Sequence, residues 1–166
     1  MSRQHAPLWP VWLTLVIAAA LELLPLPGPL HAFGPPWTAM VVIYWTLMWP
    51  ARFGVGSAFL IGLLLDLLQG SLLGQHALVL SIVSYLVLRF HLQMRIFPLW
   101  QLTMTVSFLL LIEAFLRLWI DGVAGDARLG LARFAPVLSG LLLWPLLMAL
   151  LDRIRERLER RETRFS

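Results

Sequence analysis

Gly62-Leu-Leu-Leu-Asp66-Leu-Leu-Gln-Gly70-Ser-Leu-Leu-Gly74-Gln75-His76-Ala77 lies near the middle of a 166-residue chain and decides how the rest is read. One carboxylate stands in an almost unbroken apolar run, and two polar side chains follow Gly74 directly. A carboxylate among leucines is costly unless it has a partner or a water-filled pocket. Asp66 therefore has three readings. It caps or hydrogen-bonds the tight turn that follows, it pairs with an arginine on another span, or it faces a ligand cavity. Gln75 and His76 are its natural local partners, and near neutral pH an imidazole is found either neutral or charged.

Outward from Asp66, small residues recur. Gly54, Ala58, Gly62, Asp66, Gly70 and Gly74 are each four residues apart. On a continuous helix each such step drifts about 40°, so neighbours share a face while the full set winds round the axis. Small residues let a second helix approach closely, which matters where lipid removes the hydrophobic drive for association. Packing inside the chain's own bundle is the plainer reading, and a surface for a partner is the sharper one. Gly70 and Gly74 are expected at a turn, flanked by Gln69, Ser71, Gln75 and His76.

The composition sets the class. The chain is 60% hydrophobic with a mean hydropathy of +0.81, and only 13% of its residues are charged. That charged fraction is roughly half of the 25% usual in soluble domains. A polytopic membrane protein is expected, folded as one all-α helix bundle over residues 1–166. Cysteine is absent, which excludes a disulfide framework, a thiolate metal site and a cysteine nucleophile.

Six apolar spans are read, over about 8–26, 36–49, 53–68, 75–88, 97–120 and 134–151. The second is short for a bilayer core that takes roughly 20 helical residues to cross. The breaks at Trp49-Pro-Ala-Arg-Phe-Gly54 and at 69–74 are brief, so four to six spans fit the pattern. Span 1, with Arg3 ahead of it and Ala18-Ala19-Ala20 within it, loosely resembles a signal peptide. Its length and the spans that follow favour retention, and a mature N-terminus at Leu21 would overturn the topology.

All 13 basic residues are arginine. With the N-terminus inside, Arg3, Arg52, Arg89, Arg95, Arg153, Arg155, Arg157, Arg160, Arg161 and Arg164 fall on the inner side, and only Arg128 and Arg133 outside. This positive-inside bias predicts both termini in the cytoplasm and explains a pI near 11 without invoking nucleic acid. Trp9, Trp12, Trp37, Trp49, Trp100, Trp119 and Trp144 are expected at the interfaces. Residues 152–166 read as a charged cytoplasmic tail continuing span 6, with Leu151, Ile154 and Leu158 on one face, Phe165 extending it, and Glu156 placed to pair with Arg160. Such a tail anchors its span, or it meets anionic lipid or a cytoplasmic partner.

Glu113 and Arg117 sit four apart within span 5, the favourable order for an intrahelical ion pair, with Asp121 four further on. A structural pair is the plain reading, and contact with a partner or lipid headgroup the alternative. Glu22, near the end of span 1, is a similar candidate. His5, His31, His76 and His91 are scattered, so no metal site is expected. No nucleophile arrangement, phosphate-binding glycine loop or metalloprotease motif is present, and neither an enzyme nor a cofactor is expected.

The string Asp66-x-x-x-Gly70-x-x-x-Gly74-Gln75-His76-Ala77, with the hydrophobic length and span layout, resembles the MreD family of bacterial rod shape-determining membrane proteins. Tyr44-Trp45, Met94-Arg-Ile-Phe-Pro98-x-Trp100-Gln101 and Leu143-Trp-Pro145 add to the match, which covers nearly the whole chain. His76 stands where asparagine would also look natural in that family. The resemblance implies a multi-pass inner-membrane scaffold of the elongation machinery. It also implies pairing with MreC, association with RodA and a class B penicillin-binding protein, and an indirect link to MreB filaments. It implies a six-helix fold like the substrate-binding subunits of vitamin transporters. On that fold an alternative role follows, a lipid- or small-molecule-binding module in which Asp66, Gln75 and His76 would share a cavity with Tyr44 and Trp45.

Overall fold

The computed structural model describes residues 9–24, 27–28, 33–125 and 131–162. Arg3, His5, His31, Arg128, Arg164 and Phe165 lie outside the described residues, as does the side chain of Leu158. Six α-helices are described: α1 (Trp9–Leu23), α2 (Trp37–Met48), α3 (Val55–Gln69), α4 (Gln75–Ile96), α5 (Leu99–Val123) and α6 (Ala135–Glu162).

The short second span becomes the centre of the fold. Every residue of α2 from Thr38 to Leu47 is buried. A helix that is apolar on all sides suits a protein core or a lipid surrounding, and here α1, α4, α5 and α6 pack around it. Proline 36 stands just before α2 and Pro50 shortly after it, which confines it to 12 residues. At 1.5 Å per residue it is only about 18 Å long, against a hydrocarbon core of about 30 Å.

Polar bonds tie this core helix to its neighbours. The Tyr44 hydroxyl donates to Asp152 on α6 at 2.6 Å, and Trp45 Nε1 donates to Thr14 on α1 at 2.9 Å. Thr46 and Ser84 on α4 pair their hydroxyls at 3.2 Å, both fully buried. Arg95 on α4 donates to the carbonyls of Leu47 and Met48, which the end of α2 leaves without helical partners.

Three helices, α4, α5 and α6, are long and apolar enough to cross a membrane, while α1, α2 and α3 are shorter apolar helices. Large apolar side chains are exposed on every helix except α2. On α6 they fall four residues apart, at Leu138, Leu142, Leu146 and Leu150.

Two expectations need correction. The fourth span does not end near Leu88, because α4 runs two further turns to Ile96. Its charged end is stabilised by Arg95 reaching α2, and Pro98 then starts α5. Trp144 is not interfacial but fully buried among the core side chains. Trp9, Trp12, Trp100 and Trp119 are exposed. The tail continues α6 as a helix to Glu162, with Leu151 buried and Ile154 packed against the core.

Candidate functional site

The α3–α4 hairpin is built by two glycines with positive φ. Gly70, at φ +64°, ends α3, and the amides of Gly70 and Ser71 both return to the Asp66 carbonyl in a Schellman-type closure. Gly74, at φ +98°, starts α4 and has no side chain with which to cap it.

Asp66 supplies that cap from the other helix. Its Oδ2 accepts the amides of Gly74 at 2.9 Å and Ala77 at 3.3 Å. Its Oδ1 accepts the His76 amide at 2.9 Å, the Ser71 hydroxyl at 2.9 Å and His76 Nδ1 at 2.8 Å. The first amides of a helix have no partners within it, and its dipole favours negative charge there. Here α4 obtains both from a residue one hairpin away, and the carboxylate side chain is fully enclosed.

Gly62 makes this reach possible. A Cβ placed on it would sit 2.5 Å from the Ala77 amide nitrogen and 2.6 Å from the His76 carbonyl carbon. The first turn of α4 lies directly on the Gly62 backbone, one helical turn before Asp66. The close approach and the cap are therefore one feature.

From His76 the network continues to α5. Its Nε2 lies 3.3 Å from Arg117 Nη1, and Arg117 in turn pairs with Glu113. One tautomer serves both sides: Nδ1–H donates to Asp66 while Nε2 accepts from the guanidinium. Glu113 is 3% exposed, so Arg117 is what compensates a buried carboxylate. Gln75 turns away from Asp66 and donates to Asp121 on α5 at 2.7 Å, and Asp121 also pairs with Arg133. Glu22 accepts the Thr38 amide at 2.9 Å and so covers the start of α2.

Asp66, Gly70, Gly74, Gln75, His76, Glu113 and Arg117 thus gather at one end of the bundle. Tyr44 and Trp45 do not join them. They are wholly enclosed on α2, bonded to Asp152 and Thr14. A cavity of about 620 Å³ does open beside Arg117, lined also by Glu22, Trp37, Gln69 and Pro136, and Asp66 is not on its wall. Among the described residues, no group of three or more histidines, aspartates or glutamates is placed to hold a metal ion. Sequence reading missed Ser71 as a ligand of Asp66, although its place in the turn is a local signal. It also missed the Gln75–Asp121 bond, which joins residues 46 positions apart with no local signal.

Residues 3–154 match the family model described as rod shape-determining protein MreD. The chain belongs to the MreD family. It is 35% identical over 156 residues to the rod shape-determining protein MreD of Haemophilus influenzae, covering 89% of this chain and 94% of the relative. No solved structure matches the chain. Within MreD, then, the capped α3–α4 hairpin falls inside the matched region, and a role in cell shape goes with the family.

Proposed function

We propose that this protein is a non-enzymatic scaffold of the cell-elongation machinery, a six-span inner-membrane bundle with both termini in the cytoplasm. It binds the membrane span of MreC, and through MreC it helps couple MreB filaments to RodA and its class B penicillin-binding protein. The observation that carries this reading is the way the buried polar groups are used. All five hydrogen bonds described for the Asp66 carboxylate come from its own hairpin, and His76, Arg117 and Glu113 compensate one another. Such groups hold a shape, and they are not poised on a substrate. The outward face is apolar, the surface a bundle offers to lipid and to a partner's span. The arginine bias supports the orientation.

A second reading, a lipid- or small-molecule-binding module of transporter-subunit type, is favoured by the cavity beside Glu22 and Arg117. One experiment separates the two: capture of the tagged protein from gently solubilised native membranes, with proteins and lipids both identified. Recovery of MreC with synthase subunits in near-stoichiometric yield supports the scaffold. A stoichiometric small molecule without MreC supports the module and overturns the scaffold.

A further inference from the structure

The apolar height of the bundle differs from side to side. On α5 the exposed Trp100 and Trp119 stand about 28 Å apart along the helix. Every exposed side chain between them is apolar: Met104, Phe108, Leu111 and Phe115. Tryptophan is enriched at both membrane interfaces, and this spacing matches a hydrocarbon core of about 30 Å.

The α3 side is shorter, and its register is fixed at both ends. α3 has 15 residues, which is about 22 Å. Gly70 closes its outer end with positive φ, and Asp66 bonds the start of α4 there. That hairpin is level with Trp119, since Gln75 bonds Asp121 and His76 meets Arg117. The inner end of α3 stops high on α4. A Cβ on Gly54, the residue that starts α3, would lie 3.9 Å from Leu88 Cδ1, about two turns short of the end of α4 at Ile96. Ala51 and Arg52, just before Gly54, are exposed.

The surface of α4 changes character at the same height. Tyr85 and Arg89 are exposed one turn apart, and the turns that follow mix exposed Gln93 with Phe90, Leu92 and Ile96. Such a mixture suits an interface rather than a lipid core. From Gln75 to Arg89 is about 21 Å along α4, close to the length of α3. The large exposed apolar side chains of this face run only from Phe59 on α3 to Leu73 in the turn.

We infer that the α3 face draws the bilayer thin, so that the membrane beside it matches about 22 Å rather than about 28 Å and short-chain phospholipid gathers there. A helix too short for its bilayer is accommodated by thinning, by snorkelling of flanking residues or by oligomerisation, and it gains nothing by tilting. Thinning is favoured here because the hairpin locks the outer end of α3 to α5, while the inner edge turns polar on two neighbouring helices at one height. The inference rests on the six-span reading and is independent of MreC.

The test uses the full-length protein in vesicles. The chain has no cysteine, so Leu64→Cys on α3 and Phe108→Cys on α5 each take one fluorophore at an exposed site. The vesicles hold equal amounts of phosphatidylcholine with fourteen-carbon and twenty-two-carbon chains, and each lipid in turn carries a nitroxide quencher on its chain. Quenching by the short lipid is expected to exceed that by the long lipid about twofold at Leu64, with a ratio near one at Phe108. Leu60→Cys samples the same face and guards against misfolding of Leu64→Cys, and about the same twofold ratio is expected there. Equal ratios on the α3 and α5 faces would overturn the inference and leave the six-span reading standing. Absence of quenching by either lipid on α3 would overturn it as well. Reaction of unlabelled Leu64→Cys with a charged maleimide would then show that α3 lies outside the membrane, so that the six-span reading fails too.

Discussion

Asp66 on α3 accepts the Nδ1 proton of His76 on α4 at 2.8 Å, and the same carboxylate caps the helix on which His76 stands. The pair closes the hairpin, and through His76 Nε2 it reaches the Arg117–Glu113 pair on α5. A single carboxylate thus fixes α4 against α3 and sets its register against α5.

Replacing Asp66 tests that arrangement first. Asp66→Asn keeps an oxygen to accept amides, and is expected to cost about 1–3 kcal/mol. Asp66→Leu leaves the amides of Gly74, His76 and Ala77 with no acceptor, and about 3–5 kcal/mol is expected. Thermal unfolding of the purified variants and their levels in membranes read the difference. Equal behaviour of the two would contradict the cap.

Two glycines at helix crossings should respond unequally. The added methyl in Gly62→Ala meets the backbone of His76 and Ala77, which cannot give way without parting α3 from α4. In Gly140→Ala it meets Leu110 Cδ1 at 2.5 Å, the end of a side chain that can rotate aside. Gly62→Ala is expected to cost about 1–3 kcal/mol and Gly140→Ala less than about 1.5 kcal/mol. Melting temperatures in one detergent settle the order.

Arg117 and Glu113 form a pair whose halves should not be separable. Arg117→Leu alone strands a buried carboxylate and removes the donor to His76, for an expected cost of about 3–5 kcal/mol. Arg117→Leu/Glu113→Leu removes the stranded charge and should recover much of that loss. A double-mutant cycle by thermal unfolding measures the coupling. Purely additive costs would show that the two groups do not compensate each other.

Tyr44→Phe removes the hydrogen bond to Asp152 without opening space. A cost of about 1 kcal/mol is expected, with MreC capture and lipid content unchanged. A variant that instead lost a copurifying ligand would show that Tyr44 faces a binding cavity.

The legible parts of this molecule were local ones. Asp66, Gly70, Gly74 and His76 fall within one hairpin, so turn chemistry and the cost of a buried carboxylate were enough to bring them together. Glu113 and Arg117 share a helix and follow from spacing alone. The long-range bonds were not legible. Tyr44 meets Asp152 across 108 positions and Trp45 meets Thr14 across 31, and neither residue carries a local sign of its partner. Trp144 was misread for the same reason, because tryptophan suits an interface and a buried core equally well by composition. The end of α4 was misplaced because Arg89 and Arg95 look like a loop until Arg95 is seen capping α2.

The most direct test of the scaffold is made in a rod-shaped bacterium depleted of its own MreD. The wild-type protein, Asp66→Asn and Asp66→Leu are expressed at matched membrane levels, and cell width and MreC capture are measured together. Wild type is expected to restore rods and capture MreC, with Asp66→Leu failing in both and Asp66→Asn falling between. Rods restored by a protein that captures no MreC would contradict the account.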